Sequence, residues 1–184
     1  KTSRLAQEHP ELLVFWPESE FALLNLGDPV AWQWCWDKLS SIIAGNHIDW
    51  YREDFNFDPL KYWQHLDAPD RKGIAEIRFT EGLYKLWRRL RETFPNLMID
   101  NCASGGKRLD IEMPRRSVPL WRSDYNCGTA DGKIKDDVLE ATQNMTYGLS
   151  FWLPYSGTNR YFHSEYASRS AILTNQSVYE PSVE

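Results

Sequence analysis

Positive charge is in the minority in this sequence. The 21 Lys and Arg stand against 26 Asp and Glu, for a net charge of −5. Binding to nucleic acid needs a basic footprint, so no nucleic-acid partner is expected. No apolar run approaches the roughly 20 residues that span a bilayer, so no membrane partner is expected either. Cysteine is sparse: Cys35, Cys102 and Cys127 make an odd count with no CxxC and no Cys/His spacing. That argues against a zinc site or a disulfide framework and favours a reducing, cytoplasmic setting. The histidines, His9, His47, His65 and His163, have no metal-ligand spacing either. Glycines adjoin only at Gly105–Gly106, which is neither a GxGxxG nor a Walker loop. The opening "KTSRLAQEHPELL" has no apolar signal-peptide core and no initiator Met, so the chain is expected to be a fragment or a processed product.

What the sequence does have is aromatic side chains. Nine Trp, nine Tyr and eight Phe make up 14% of its 184 residues. Such a share supplies either ligand-stacking platforms or a large aromatic core. The length is that of one domain, with enough chain to bury a core.

Helical and strand-like segments alternate. "GDPVAWQWCWDKLSSIIAGN" reads as a helix with Asp28 as N-cap, Pro29 at its first position and a stop at Gly45. "IDWYRED" then reads as a strand. "GIAEIRFTEGLYKLWRRLRETFP" reads as a helix with Ile77, Leu83, Leu86, Trp87 and Leu90 on one face, closed by Pro95. "NLMIDN" follows as a strand, "KRLDIEMPRR" as a broken helical turn and "SVPLWRSD" as a third strand. "DGKIKDDVLEATQNMTYG" reads as a helix, "LSFWLPY" as a fourth strand and "SEYASRSAILTN" as a closing helix. This order predicts βαβ units with parallel strands. Each strand ends in polar residues, as in (β/α) barrels, where the reacting groups sit at the carboxyl ends of the strands. Four βα units are visible where a complete barrel has eight. The predicted fold is therefore α/β, a partial (β/α)8 TIM barrel comprising roughly its second half, with residues 1–184 as one part of it.

The candidate chemistry lies at those strand ends. In "NHIDWYREDFNFDP", strand alternation puts Trp50, Arg52, Asp54 and Asn56 on one face and Tyr51, Glu53 and Phe55 on the other. A cation beside Asp54 favours its ionised form, which suits a nucleophile; the same pair is also what a purely structural ion pair would look like. Asp58, just before Pro59, reads as a turn or helix-start residue. In "PLWRSDY", Leu120, Arg122 and Asp124 share parity, so Asp124 is either a second reacting carboxylate or a helix cap. Two acids from separate strand ends are what glycoside hydrolysis requires. In "IDNCASGGKR", Gly105 and Gly106 permit a tight turn close to a ligand. Cys102 either touches a sugar face or is an inert buried thiol. Lys107 and Arg108 either meet substrate hydroxyls or sit in a solvated turn. His163, which follows the fourth strand, is either at the barrel mouth or a loop histidine.

Taken together, three motifs carry a family resemblance. "YREDFN" resembles the K-x-D-x-N segment of the glycoside hydrolase family 36 α-galactosidases. "DNCASGGKR" resembles their E-N-C-x-S-G-G-x-R segment, and "LWRSDY" their W-x-S-D segment. Order and rough spacing agree, and "LLNLGDPVAWQW" and "YGLSFWLPYSGTNR" extend the likeness over nearly the whole chain. The resemblance implies a retaining glycosidase with Asp54 as nucleophile and Asp124 as general acid/base. It implies a galactose subsite lined by Arg52, Cys102 and Gly105 and shaped by Asn56 and Arg108, with no metal or organic cofactor. The implied substrate is an oligosaccharide ending in α-linked galactose. Transglycosylation, an α-N-acetylgalactosaminidase activity and a non-catalytic carbohydrate-binding barrel are the alternatives. Arg52 stands where the family usually has lysine, and Arg122 where it usually has a small polar residue. Both changes bear on which sugar fits. The family's early barrel strands have no counterpart here. This piece, covering about strands four to seven, is therefore expected to be inactive alone and, with unpaired strand edges, prone to form homo-oligomers.

Overall fold

The computed structural model describes residues 2–121, 123–126, 136–148, 151, 153, 155, 157–160, 164–170, 172 and 175–178. The chain sorts into two compact units, residues 1–50 with 57–98 and residues 51–56 with 99–184.

The first unit opens with α1 (Arg4–Glu8), whose N-cap Ser3 accepts a hydrogen bond from the Ala6 N–H. A single 3-10 turn leads into β1 (Leu13–Phe15), which pairs antiparallel with β2 (Ala22–Leu24). Val14 lies opposite Leu23 in this ladder, and both are buried. Next, α2 (Pro29–Asn46) starts as its sequence predicts: the Asp28 carboxylate accepts from Val30 and Ala31 N–H at 2.8 and 3.1 Å, and Pro29 supplies a fixed φ where no donor is needed. It runs past Gly45 and ends when His47 takes the left-handed conformation at φ 53°.

A short α3 (Leu60–Leu66) follows, its first N–H held by Asp58 at 3.2 Å. Then α4 (Ile74–Thr93) buries Phe79, Leu83, Leu86, Trp87 and Leu90. Those spacings of four, three, one and three keep one stripe inward. Ile77, expected on that stripe, is 54% exposed. It precedes Leu83 by six residues, which at about 100° per residue points it well away from that face. The helix stops before Phe94, as the residue preceding a proline disfavours helical geometry. α2 and α4 are locked together where Trp32 Nε1 donates to the Gly82 carbonyl at 2.8 Å and Lys85 Nζ lies 4.1 Å from the Trp32 ring centroid.

β3 (Trp50–Asp54) and β4 (Met98–Cys102) form a two-stranded sheet. The Met98 N–H donates to the Asp49 carbonyl at 2.8 Å and the Phe55 N–H to the Cys102 carbonyl at 2.9 Å, so the strands run the same way, as a βαβ unit requires. In the second unit a parallel bridge between Asp100 and Val118 joins β4 to the next segment. Among the described residues the strand predicted over "SVPLWRSD" is reduced to isolated bridge positions, at Val118 and Trp121. The Leu120 N–H turns back to the Val118 carbonyl at 3.0 Å rather than across to β4, and Asp124–Asn126 form a 3-10 turn. After α5 (Asp136–Tyr147), β5 (Gly157–Arg160) pairs in parallel with β6 (Asn175–Val178) across α6 (Glu165–Ser170). Leu139 of α5 and Ala167 of α6 share a buried cluster. The fourth predicted strand is displaced: Phe151, Leu153 and Tyr155 lie outside any strand, and pairing begins at Gly157. The closing helix ends at Ser170, and the residues from Asn175 form β6 rather than its last turn. The outcome is an α/β chain.

Candidate active site

β3 carries two different chemistries on its two sides. Arg52 and Asp54 lie on its exposed side, whereas Tyr51 and Glu53 are half-buried, which is the alternation the strand period dictates. On the exposed side Arg52 joins two carboxylates. Its Nη1 donates to Asp100 Oδ2 at 2.5 Å, and its Nη2 lies 3.6 Å from Asp54 Oδ2. Burial opposes the charge on Arg52, but the hydrogen bond and charge of Asp100, with smaller help from Cys102 and Asp54, more than reverse this and hold its pKa above the ordinary value. Asp100 itself is only 3% exposed. Removing one partner from a fully buried pair costs about 3–5 kcal/mol, and less here because Arg52 is partly solvated.

Two residues beyond Asp100, on the same side of β4, Cys102 is buried and sits close enough to Asp54 and Arg52 to feel both. Burial pushes its thiol pKa up, and Asp54 adds to the rise against the opposing effects of a Gly105 backbone hydrogen bond and Arg52. The thiol is neutral, and its Sγ points at the Gly105 carbonyl oxygen, 3.9 Å away.

The turn after β4 is held by Asn56, two residues past the end of β3. The Ser104 N–H donates to Asn56 Oδ1 at 3.0 Å, and Ser104 and Gly105 both take left-handed backbone, at φ 43° and 74°. At Gly105 a side chain has no room: a Cβ there would lie 2.6 Å from Ser123 Cα and from the Asp124 nitrogen. The turn thus packs backbone to backbone against the segment that presents Asp124. That carboxylate opens the 3-10 turn, faces solvent and accepts a hydrogen bond from Trp121 Nε1 at 2.9 Å. Arg52, Asp54, Asn56, Cys102, Gly105 and Asp124 are therefore linked by an unbroken series of contacts.

Arg108 is elsewhere. It lies on the Glu53 side, 8% exposed, with Nη1 2.8 Å from Glu53 Oε1 and its guanidinium 4.7 Å from the Phe55 ring centroid. Tyr51 Oη donates to the other Glu53 oxygen at 3.2 Å, and Asn101 Nδ2 donates to the Arg108 carbonyl at 3.0 Å. Arg122 and His163 lie outside the described residues. Among the described residues no three His, Cys, Asp or Glu side chains converge as metal ligands.

Two members of the group went unrecognised in the sequence. One is Asp100, and the available signal was an aspartate inside the apolar run "LMIDNC", since a buried charge requires a partner. The other is Trp121, three residues ahead of the acid that its indole holds.

Comparison with known proteins identifies the family. The melibiase family model matches residues 1–148. Alpha-galactosidase 1 of Pediococcus pentosaceus is 28% identical over 160 residues, which is 84% of this chain and 20% of that protein. The alpha-galactosidase of Escherichia coli is 27% identical over 132 residues, 72% of this chain and 16% of that one. Among solved structures, the alpha-galactosidase from Lactobacillus brevis aligns with a TM-score of 0.73 at 21% identity, over 95% of this chain and 24% of its own. A variant of the GH36 alpha-galactosidase AgaA from Geobacillus stearothermophilus, in complex with stachyose, aligns with a TM-score of 0.73 at 19% identity, over 96% of this chain and 26% of its own. The chain spans about a fifth of the length of the curated relatives it matches.

Proposed function

This chain belongs to the melibiase family, and we propose that it forms roughly the second half, about strands four to seven, of the (β/α)8 catalytic barrel of a longer retaining α-galactosidase. The observation that carries this reading is the linkage of Asp54 and Asp124 through Arg52, Cys102 and the Gly105 turn. The substrate class is an oligosaccharide ending in α-linked galactose. The stachyose and raffinose complexes of the Geobacillus stearothermophilus relative support that choice.

In the first step Asp54 attacks the anomeric carbon while Asp124, in its acid form, donates a proton to the departing glycosidic oxygen. The C–O bond to the leaving group breaks as the bond to the Asp54 carboxylate forms. In the second step Asp124, now ionised, takes a proton from water, whose oxygen displaces Asp54 and regenerates the starting anomeric configuration. Arg52 faces the nucleophile with a fixed positive charge, and the Trp121 indole fixes one oxygen of the acid/base. Neither a metal nor an organic cofactor takes part in the scheme, and the longer protein works in the cytoplasm.

The test uses the full-length polypeptide. An activated 2-fluoro-α-galactoside should label Asp54 stoichiometrically, located by peptide mass mapping, and Asp54→Asn should abolish turnover. Label on another residue, or substantial turnover by Asp54→Asn, would sink the assignment.

A further inference from the structure

We infer that Asp100 is a positioning residue: from inside the β3–β4 sheet it fixes the Arg52 guanidinium against Asp54. The inference rests on the α-galactosidase reading for its kinetic consequence and on geometry for its substance.

An exposed arginine on a strand samples many rotamers, and ordering its side chain costs up to about 2 kcal/mol of conformational entropy. Arg52 has only one strong anchor among its described partners. Asp100 holds Nη1 at 2.5 Å, whereas the approach of Nη2 to Asp54, at 3.6 Å, is too long for a hydrogen bond. The near partner sets the position, and the far partner experiences it. Because a guanidinium is planar, fixing Nη1 on Asp100 also fixes the plane in which Nη2 meets Asp54. Asp100 is well suited to be the fixed end. It sits on β4 between Ile99 and Asn101, its backbone bridges to Val118 on the next segment, and its side chain is almost wholly buried. Its Oδ1 is buried as well, with no hydrogen-bond partner among the described residues. Arg52 is thus the charge that compensates a carboxylate water does not reach. Burying an acid for packing alone would be costly, since an apolar residue of similar size would serve that purpose more cheaply. The ordered guanidinium is the return on that cost.

The experiment is a double-mutant cycle in the full-length polypeptide: Asp100→Asn, Arg52→Met and the two combined. It is read by kcat and KM on an aryl α-galactoside and by the Arg52 guanidinium signals of protein labelled with 15N-arginine. If Asp100 works through Arg52, each single change lowers kcat/KM about 100-fold. The combined change then costs no more than the worse single one. The Arg52 Nη signals, split by hindered rotation in the unaltered protein, merge in Asp100→Asn. Losses that multiply in the combined variant, or Arg52 signals that Asp100→Asn leaves split, overturn the inference. Should Asp100→Asn fail to fold, Asp100→Glu decides, because it keeps the charge and carries it outward by one methylene. A fall in kcat of about tenfold supports the inference, and an unchanged kcat overturns it. The enzymatic reading fails separately, if the unaltered full-length protein hydrolyses no α-galactoside. The guanidinium signals then still decide whether Asp100 orders Arg52.

Discussion

Gly105 lies against the backbone of Asp124 so closely that a single added methyl group would sit 2.6 Å from the Asp124 nitrogen. Its φ of 74° adds a second demand for glycine, since an L side chain there costs roughly 1–2 kcal/mol. Gly105→Ala should therefore displace the Asp124 turn as well as strain its own. In the full-length protein we expect kcat to fall about 100-fold with little loss of secondary structure. Steady-state kinetics beside far-UV circular dichroism checks this, and a normal kcat would mean that the turn does not set the acid.

Asp124 carries one proton out and one back in the proposed cycle. Asp124→Ala should leave attack by Asp54 feasible when the leaving group needs no proton, and then stall at the covalent intermediate. Azide, which needs no general base, should restore turnover with an activated aryl galactoside and yield galactosyl azide of retained configuration. Product analysis by NMR is decisive: azide of inverted configuration would contradict the two-step scheme.

The Arg52–Asp100 pair differs from the family segments at both ends, which carry lysine and glutamate at these points. Lysine is shorter in reach than arginine, and glutamate is longer than aspartate by one methylene. Arg52→Lys alone should lower kcat/KM about tenfold, because a single ammonium cannot meet both carboxylates as a planar fork does. Arg52→Lys with Asp100→Glu should recover most of that loss. Equal activity of the single and double variants would show that reach is not what matters.

The two sides of β3 were legible in the sequence because a strand has a strict period, and five residues from Trp50 to Asp54 suffice to display it. The start of α2 was legible because Asp28 and Pro29 act locally. The same parity argument does not carry to Asp124: it presumes a strand from Ser117 onward, whereas the Leu120 N–H turns back to Val118 and Asp124 opens a 3-10 turn. Distances between segments leave no local trace, and so Arg108 could not be assigned to the Glu53 side, nor Asp100 to Arg52, before the strands were paired. The hairpin of β1 and β2, three residues each, is too short to show a period at all.

Asp67 offers a test that does not involve the candidate site residues. Its carboxylate accepts the Gly73 and Ala75 N–H groups at 2.5 and 3.0 Å, which holds its pKa below the ordinary value. A group depressed on folding stabilises above its unfolded pKa of about 3.9 and stops doing so as the pH falls through its lower folded value. Asp67→Asn should lower the melting temperature at neutral pH, with the difference from the unaltered chain shrinking only in that acid range. A difference independent of pH across acid melts would exclude the charge as its source.

The alternation of β3 makes substitution and insertion unequal changes. Any one of its residues can be exchanged while its neighbours keep their orientation. A one-residue insertion or deletion within the strand would instead exchange the two sides, turning Glu53 toward Asp100 and Arg52 toward Arg108. Two acids would then face each other on one side and two cations on the other. The strand therefore tolerates a change of residue far better than a change of length.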